Sequence, residues 1–458
     1  MQYNYCILAT HENQKLERGL SLAQATAINM IDMVGIGPFV TVSIIVSTMH
    51  GPAGMLAWLL GAVLAYVDGF VWAELGSRWP EAGGSYVFLQ KLYGRFKIGR
   101  LMAFLFIWQT TIQAPLVIAS GAIGFSKYFS FLIPLTDIQK KMVSGALVIL
   151  LVTLLYRNIK SIGKISVVLW IITGGTILWL ICSSFGHFHA AQALDWNTDY
   201  FTTNTLLLAA LGKSSLNAVY SYLGYYNVCH LGGEIKNPAK NIPKSIIISI
   251  TGIVILYLLM QMAILGVLPW QVVAKSDFVA SVYFETIYNS HLAGVIATLL
   301  ILIIAAASLF SGILGYSRIP YAAAQNGDFF SVFGKLHPRL HFPYISLLAI
   351  GFAGFAFSLI FKLKDVITAI LMMRILIQFT AQAAGLIALR YSKSRENMPF
   401  KMPLFPIPAI LSILIWLFIF CTNDLKFIIG ALIIIISGIA VFYIRNYFTR
   451  KMPEKVLN

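Results

Sequence analysis

The sequence predicts an all-α polytopic membrane protein with twelve transmembrane helices. Hydrophobic residues make up 59% of the 458 positions and charged residues only 11%, whereas soluble proteins carry about 25% charged residues. A spanning helix needs roughly 20 apolar residues in succession. Segments that meet this requirement are numbered here in chain order, with approximate limits 22–48, 53–76, 99–126, 139–156, 164–184, 204–229, 245–268, 291–324, 343–361, 365–390, 403–421 and 427–448. This composition argues against a soluble fold.

The distribution of positive charge predicts the orientation of the chain. The net charge is +16, and 24 of the 33 Lys and Arg residues fall on one side of the predicted segments, against 7 on the other. By the positive-inside rule the richer side is cytoplasmic, which places the N-terminal segment 1–21 and the tail 449–458 in the cytoplasm. The charge therefore does not indicate nucleic-acid binding. The lack of a signal-peptide pattern and the compact loops favour the inner membrane of a bacterial cell.

Segment 1 contains a predicted break at its centre. Residues 31–39 read I-D-M-V-G-I-G-P-F within an otherwise apolar run. Gly35, Gly37 and Pro38 together interrupt a helix. Broken backbone at bilayer depth is tolerated only where protein buries it or where it lines a water-filled cavity. The sequence therefore predicts a binding site at this break.

A second break is predicted in segment 6, where residues 219–225 read V-Y-S-Y-L-G-Y. It lies five segments after the first break, and an odd period inverts the second half of a repeat in the membrane. The sequence thus predicts a five-plus-five inverted repeat with helices 1 and 6 broken, as in many transporters. The predicted core is 22–400, with helices 1–5 at about 22–184, helices 6–10 at about 204–390, and peripheral helices 11 and 12 at 401–448.

Four motifs resemble those of the amino acid–polyamine–organocation transporter superfamily. They are Gly35-Ile36-Gly37-Pro38-Phe39, Ala73-Glu74-Leu75-Gly76 with Pro80-Glu81-Ala82-Gly83-Gly84-Ser85-Tyr86, Glu234-Ile235-Lys236-Asn237-Pro238 with Asn241-Ile242-Pro243, and Ser317-Arg318 with Asn326-Gly327. The matches extend over about residues 20–400. The resemblance implies the leucine-transporter-like fold, and it implies a bacterial amino acid permease.

The chain departs from the family pattern at informative positions. Ile36 replaces a hydroxyl residue, Pro38 removes one amide from the break, and Gly233 stands where many members have a second acid. Some members carry a helix 5 lysine whose ammonium resembles a sodium substitute. Thr173 aligns with that lysine, so this device is expected to be missing.

The break in segment 1 predicts the two ends of a zwitterion site. The amides of Gly35, Ile36 and Gly37 begin the second half-helix, where the dipole favours a carboxylate. The carbonyls of Ile31 and Asp32 end the first half-helix and favour an ammonium group. An α-amino acid carries both charges close together and fits such a pair. A simple glycine kink is the alternative.

The break in segment 6 is expected to face the same cavity. Its candidate residues are Tyr220, Ser221, Tyr222, Leu223 and Gly224, with Tyr226 as a further candidate. The resemblance implies that Ser221 and Leu223 offer backbone groups to the amine. It also implies that Tyr220 is a gating aromatic, which excludes water or stacks on a cation. A packing tyrosine is the alternative.

Segments 8 and 3 contribute further candidates. In sodium-coupled relatives of the fold, adjacent hydroxyls on helix 8 complete a cation site. Here Ser308 follows Ala307, so the hydroxyl pair is incomplete and sodium coupling is disfavoured. Phe310 and Ser311 are the other candidates on this helix. On segment 3, Gln113 is either a side-chain selector or a helix–helix hydrogen-bonding residue.

Ionisable residues inside the predicted membrane segments are functional candidates by default. Asp32 lies next to the proposed amine site and is expected to bind a cationic group or carry a proton. Asp68 lies deep in segment 2, and Glu74 near its cytoplasmic end suggests a gating or structural network. Lys213 lies on the outer half of segment 6. Arg374 in segment 10 is expected either to pair with an acid such as Asp68 or Asp32 or to reach the outer vestibule.

The leading hypothesis is a secondary amino acid transporter that works by alternating access, as a proton symporter or an exchanger. Its partners are a small-molecule amino acid, protons and the lipid bilayer, and it acts as a monomer or homodimer. No Walker motif indicates ATP-driven transport. The four cysteines lack close spacing, so neither a metal nor a cofactor is predicted.

Three alternatives compete with this hypothesis. A polyamine or other organic-cation transporter would use Asp32, Tyr220 and Tyr222, although the segment 1 amides still favour a carboxylate. A membrane-embedded enzyme is disfavoured because no acid accompanies the histidines at ligand spacing, so enzymatic activity is not predicted. A nutrient sensor would need a longer tail than 449–458.

Overall fold

The computed structural model describes residues 16–94, 96–196, 204–360, 363–392 and 398–451. Within these ranges the chain is almost entirely helical, and strand-like pairing is limited to isolated bridges such as Leu20 with Ile235. The predicted all-α class is confirmed. Most of the predicted N-terminal segment 1–21 and tail 449–458 lies outside the described residues.

The helices follow one another through the described chain with short connections. Their bounds are α1 Leu22–Met33, α2 Gly37–Thr48, α3 Met55–Arg78, α4 Ser85–Gly94, α5 Gly99–Phe129, α6 Asp137–Leu155, α7 Ile159–Ser183, α8 Ala190–Ala193, α9 Asn204–Tyr222, α10 Asn227–His230, α11 Pro238–Val267, α12 Trp270–Lys275, α13 Val279–Tyr288, α14 His291–Tyr316, α15 Arg318–Gln325, α16 Tyr344–Ile360, α17 Leu363–Arg374, α18 Gln382–Tyr391, α19 Ile407–Cys421 and α20 Leu425–Lys451. A π-helix, Ile375–Ala381, joins α17 to α18.

The described helices establish a multi-pass membrane protein. By length and apolar composition, eight of them can cross a membrane, or nine when the bent pair α1 and α2 counts as one span. Two further apolar helices, α16 and α19, are shorter, with 17 and 15 residues. The remaining predicted segment, 204–229, is divided between α9 and α10.

The first predicted break lies between α1 and α2. A capping box formed by Ser21 and Gln24 begins α1, and Pro38 stands in the first turn of α2, where its missing amide does no harm. The two half-helices are bent by 41° relative to each other. Val34 and Ile36 within the break are buried, so protein rather than lipid surrounds the interrupted backbone.

The second break follows α9 and touches the first one. Gly224 has φ +124°, a conformation that favours glycine. A Cβ atom there would lie 2.7 Å from the Met33 nitrogen and 2.8 Å from the Asp32 carbonyl carbon. The Asn29 side chain joins the two breaks, because it donates to the Tyr225 carbonyl at 2.7 Å and accepts from the Val228 amide at 2.9 Å. A side chain of α1 thus satisfies two backbone groups of the second break.

Tyr257 of α11 also joins the two breaks. Its hydroxyl lies 2.9 Å from the Met33 carbonyl and 3.2 Å from the Ser221 carbonyl. These carbonyls belong to the last turns of α1 and α9, which lack partners within their own helices. One buried tyrosine thus serves the ends of both half-helices.

A buried ion pair fixes the segment after α10 to α15. Arg318 donates through Nε and Nη2 to the two carboxylate oxygens of Glu234, each at 2.9 Å. Both side chains are 1% exposed. Such a two-pronged pair is geometrically specific. Both residues belong to motifs that the sequence analysis identified.

Breaking this pair from one side is expected to destabilise the protein strongly. Arg318→Leu leaves the Glu234 carboxylate buried without a cation, which costs about 3–5 kcal/mol. The measurement is the thermal unfolding of purified protein in detergent. Lys91→Gln is the matched control, because it removes a pair with Glu81 whose side chains are 34% and 55% exposed and which contributes about 0–1 kcal/mol. Equal melting temperatures for both variants would contradict the assignment.

Candidate functional site

A cavity lies where the two breaks meet α5, α14 and α17. Its volume is about 80 Å³, several times the roughly 10–15 Å³ that one water molecule needs on this measure. Its lining comprises Asp32, Met33, Gly35, Ile36, Gly37, Val117, Ile118, Gly121, Tyr220, Ser221, Leu223, Gly224, Tyr226, Ala305, Ser308, Leu309, Gly312, Ile313, Tyr316, Ile370 and Arg374. Most of the predicted binding residues are in this set.

The first break presents backbone groups of both kinds to the cavity. The Gly35 amide is engaged locally, since it donates to the Met33 carbonyl at 3.2 Å. Across the described chain, no backbone acceptor is found for the amides of Ile36 and Gly37. These two amides stand at the start of α2, where the helix dipole favours an anion.

The carbonyl end of the first break is partly occupied. The Asp32 carbonyl accepts from the Ser308 hydroxyl at 3.1 Å, and Gly35 permits this approach because a Cβ there would lie 2.6 Å from the Ser308 oxygen. Ile31 is buried and lies outside the lining. The carbonyls of Ile31 and Asp32 are thus less available to a ligand than the amides of Ile36 and Gly37.

The Asp32 side chain faces open space in the cavity. Its carboxyl group makes no hydrogen bond or ion pair with any described residue. Gly312 on α14 lies beside it, since a Cβ there would lie 3.4 Å from the Asp32 carboxylate, an ordinary van der Waals contact. An acid without protein partners at this position is available to a ligand or a proton.

The end of α9 forms another wall. The Tyr220 hydroxyl lies 3.0 Å from the Ser120 hydroxyl, and the Ser221 hydroxyl lies 3.0 Å from that of Thr41. Tyr222 turns away from the cavity and packs edge-on against Trp58, with ring centroids 5.9 Å apart. Leu223, Gly224 and Tyr226 continue the wall.

Arg374 supplies the positive charge of the cavity. It is 1% exposed, and it stands directly before the π-helix, a local distortion frequent at functional sites. Its Nε donates to Gln378 at 2.6 Å and its Nη1 to the Tyr316 hydroxyl at 3.4 Å. Its guanidinium lies 5.0 Å from the Tyr226 ring centroid. No partner for its Nη2 is found in the described part of the chain.

Three predicted residues lie on the lining helices α5 and α14 but are not part of the cavity lining. Gln113 donates to the Tyr316 hydroxyl at 3.2 Å, which makes it a helix–helix hydrogen-bonding residue in this structure. Ser311 donates to the Ile28 carbonyl at 2.8 Å. Phe310 is fully buried and lies outside the lining.

Asp68 lies outside the cavity in a hydrogen-bonded network. One carboxylate oxygen accepts from Tyr225 at 2.6 Å and from Trp72 at 2.9 Å. The other accepts from Ser412 at 3.0 Å and from Trp416 at 3.3 Å. The network connects α3 and α19 to the residues that follow the second break.

Two other charged candidates make structural ion pairs away from the cavity. Glu74 accepts from the Met402 amide at 2.8 Å and lies 2.9 Å from Arg390. Lys213 lies 3.1 Å from Asp424, and about half of each side chain is exposed. In this structure both residues join helices of the core to the segments of α18–α20.

Apart from Ser308, the lining residues of α5 and α14 were not predicted from the sequence. Among them are Val117, Gly121, Leu309 and Tyr316. Gly121 and Gly312 carry the signal that was available, because small residues let helices approach one another in membranes. The apolar residues carry none, since any face of an apolar membrane helix can be turned inward.

These observations define a helical multi-pass membrane protein with a small cavity at two interrupted helices. A family model described as amino acid permease matches residues 20–449, and the chain belongs to this family of transporters. The predicted family is confirmed, and with it amino acid transport as the functional class.

Individual relatives transport different compounds. A methylthioribose transporter of Bacillus subtilis is 25% identical over 88% of this chain and 88% of its own. A branched-chain amino acid permease of the same organism is 24% identical over 98% of this chain and 97% of its own. The aspartate-proton symporter of Bacillus subtilis is 25% identical over 96% of this chain and 85% of its own. At this identity, the relatives do not specify the substrate of this chain.

Asp68→Asn is expected to lower stability without changing ligand affinity. The two indole N–H groups of Trp72 and Trp416 can only donate, and an asparagine offers one oxygen for both. An unpaired buried donor costs about 1–3 kcal/mol. The measurements are the melting temperature of the ligand-free protein and the dissociation constant of its best ligand. A changed affinity with unchanged stability would instead make Asp68 a coupling residue.

Proposed function

We propose that the chain is a secondary active transporter of α-amino acids that works by alternating access. The proposal includes twelve spans in a five-plus-five inverted repeat of leucine-transporter-like fold over 22–400, with peripheral helices over 401–448. It also places the protein in the inner membrane with both termini cytoplasmic, as monomer or homodimer. The contact between the two broken helices at the cavity carries the proposal, because transporters bind substrate at such breaks.

The two ends of the zwitterion have different partners in this proposal. The α-carboxylate binds at the free amides of Ile36 and Gly37 and is stabilised by the dipole of α2. The α-ammonium lies toward the carbonyl end of α9, near Leu223, and toward the Asp32 carboxylate. Tyr220 closes the cavity over the bound amino acid.

Proton coupling is favoured over sodium coupling. Asp32 is the acid of the cavity lining and makes no hydrogen bond with the described protein, so it is free to change protonation. The Ser308 hydroxyl donates to the Asp32 carbonyl, which a sodium ion would otherwise use. One relative, the aspartate-proton symporter of Bacillus subtilis, is named for its coupling to protons.

Polyamine transport is disfavoured by the charge of the cavity. Arg374 lines it beside Asp32, so the site does not present net negative charge to a polycation. The free amides of α2 likewise favour an anionic group. The family match over residues 20–449 supports a transporter rather than an enzyme.

Gly37→Val is expected to abolish amino acid binding. A Cβ at Gly37 would already lie 3.3 Å from the Tyr220 ring and 3.4 Å from the Ser221 hydroxyl, so a valine fills the carboxylate position. The measurement is the melting-temperature shift of purified protein with the twenty amino acids, since a ligand that binds the folded state raises stability. Gly175→Val is the control, because a Cβ there has open space around it. Retained binding in Gly37→Val would sink the carboxylate assignment.

Asp32→Asn is expected to uncouple transport from protons. An asparagine cannot exchange a proton, so accumulation driven by a pH gradient is lost while exchange of internal for external amino acid persists. The measurement is uptake into proteoliposomes with and without an imposed pH gradient. Asp137→Asn serves as the control, since its side chain is 97% exposed at the start of α6. Gradient-driven accumulation equal to that of the unmodified protein would make Asp32 a structural residue.

A further inference from the structure

Arg374 is a buried cation whose hydrogen-bonding capacity is only partly used. Its side chain is 1% exposed, and it forms no ion pair within the described ranges. Of its five N–H donors, Nε is satisfied by Gln378 and Nη1 reaches Tyr316. Its Nη2 is buried and has no acceptor there. Leaving part of a buried charge unpaired is unfavourable unless an anion completes the site.

The surroundings fix the guanidinium in place. Gln378 lies one turn further along the same chain, and the rings of Tyr226 and Phe379 lie 5.0 and 5.3 Å from the guanidinium carbon. The fork geometry of a guanidinium matches a carboxylate better than an isolated carbonyl. A rigid arginine with a free Nη2 is therefore organised to receive a carboxylate.

The rest of the lining strengthens this preference. The cavity that Arg374 lines is also bounded by apolar side chains, including Ile118, Ile313 and Ile370. Charge–charge attraction is stronger in such surroundings than in water. The other anion-binding feature, the start of α2 at Ile36 and Gly37, belongs to a different helix. The cavity thus has two places for negative charge and one acid, Asp32.

We propose that Arg374 selects amino acids with an acidic side chain. This inference rests on the proposed function, in which the α-carboxylate occupies the amides of α2. The side-chain carboxylate of aspartate or glutamate then accepts from the free Nη2 of Arg374, and the ammonium group lies toward Asp32. One proton on Asp32 balances the extra negative charge of such a substrate.

The first experiment uses the unmodified protein and isosteric ligand pairs. Binding of L-aspartate is compared with L-asparagine, and L-glutamate with L-glutamine, by melting-temperature shift and competition in detergent. The acid of at least one pair is expected to bind at least about tenfold tighter than its amide, as a charged hydrogen bond predicts. Equal or tighter binding of both amides overturns the inference but leaves amino acid transport intact. Failure of every α-amino acid to bind overturns the proposed function itself.

Variants then test whether Arg374 is the selecting residue. Arg374→Gln is expected to remove the preference for acids over amides, whereas Lys141→Gln, an exposed position on α6, removes one positive charge and keeps the preference. Equal weakening of acids and amides in Arg374→Gln would assign Arg374 to the α-carboxylate and overturn the inference. If this variant does not fold, the ligand-pair comparison still decides.

A double variant separates ligand recognition from neutralisation of Asp32. If Arg374 only balances the charge of Asp32, then Asp32→Asn combined with Arg374→Gln restores the binding of acids, and the inference fails. If Arg374 contacts the ligand, the double variant is expected to lack the preference, while Asp32→Asn alone retains it.

Discussion

The contact between the two broken helices is the constraint on which the rest of the structure depends. Each break leaves amides and carbonyls that lipid cannot satisfy. Asn29 bonds both the Tyr225 carbonyl and the Val228 amide, and Tyr257 bonds the Met33 and Ser221 carbonyls. Close approach is possible because Gly224 has no side chain, since a Cβ would lie 2.7 Å from the Met33 nitrogen. Among the described residues, the amides of Ile36 and Gly37, which line the cavity, keep no backbone acceptor.

The charges of the protein are arranged in two classes around this contact. Outside the cavity, Glu234 and Arg318 form a two-pronged pair and Asp68 accepts four hydrogen bonds. Inside it, Asp32 accepts no hydrogen bond from any described residue through its carboxylate, and the Nη2 of Arg374 has no acceptor among them. Because unsatisfied buried charge is costly, the meeting of such an acid and such an arginine in one cavity favours a ligand-binding role over a structural one.

The sequence alone was sufficient to predict both breaks and the charged candidates. Glycines and a proline at 35–38, and Gly224, interrupt apolar runs, and Asp32 and Arg374 are conspicuous within them. The direction of each side chain was less predictable. Tyr220 lines the cavity whereas Tyr222 packs on Trp58, because residues two apart on a helix point about 200° apart.

Long-range partners explain what the sequence left undetermined. Asp68 binds Ser412 and Trp416, which are about 345 residues away in the chain, and no local pattern encodes that pairing. The contrast between these partners and the free carboxyl of Asp32 separates two acids that look equivalent in sequence. Asp68 accepts from two indole N–H groups that can only donate, so its carboxylate is part of a fixed hydrogen-bonded network. Asp32 has no such donors among the described residues, and in the proposed function it is therefore the acid that exchanges a proton.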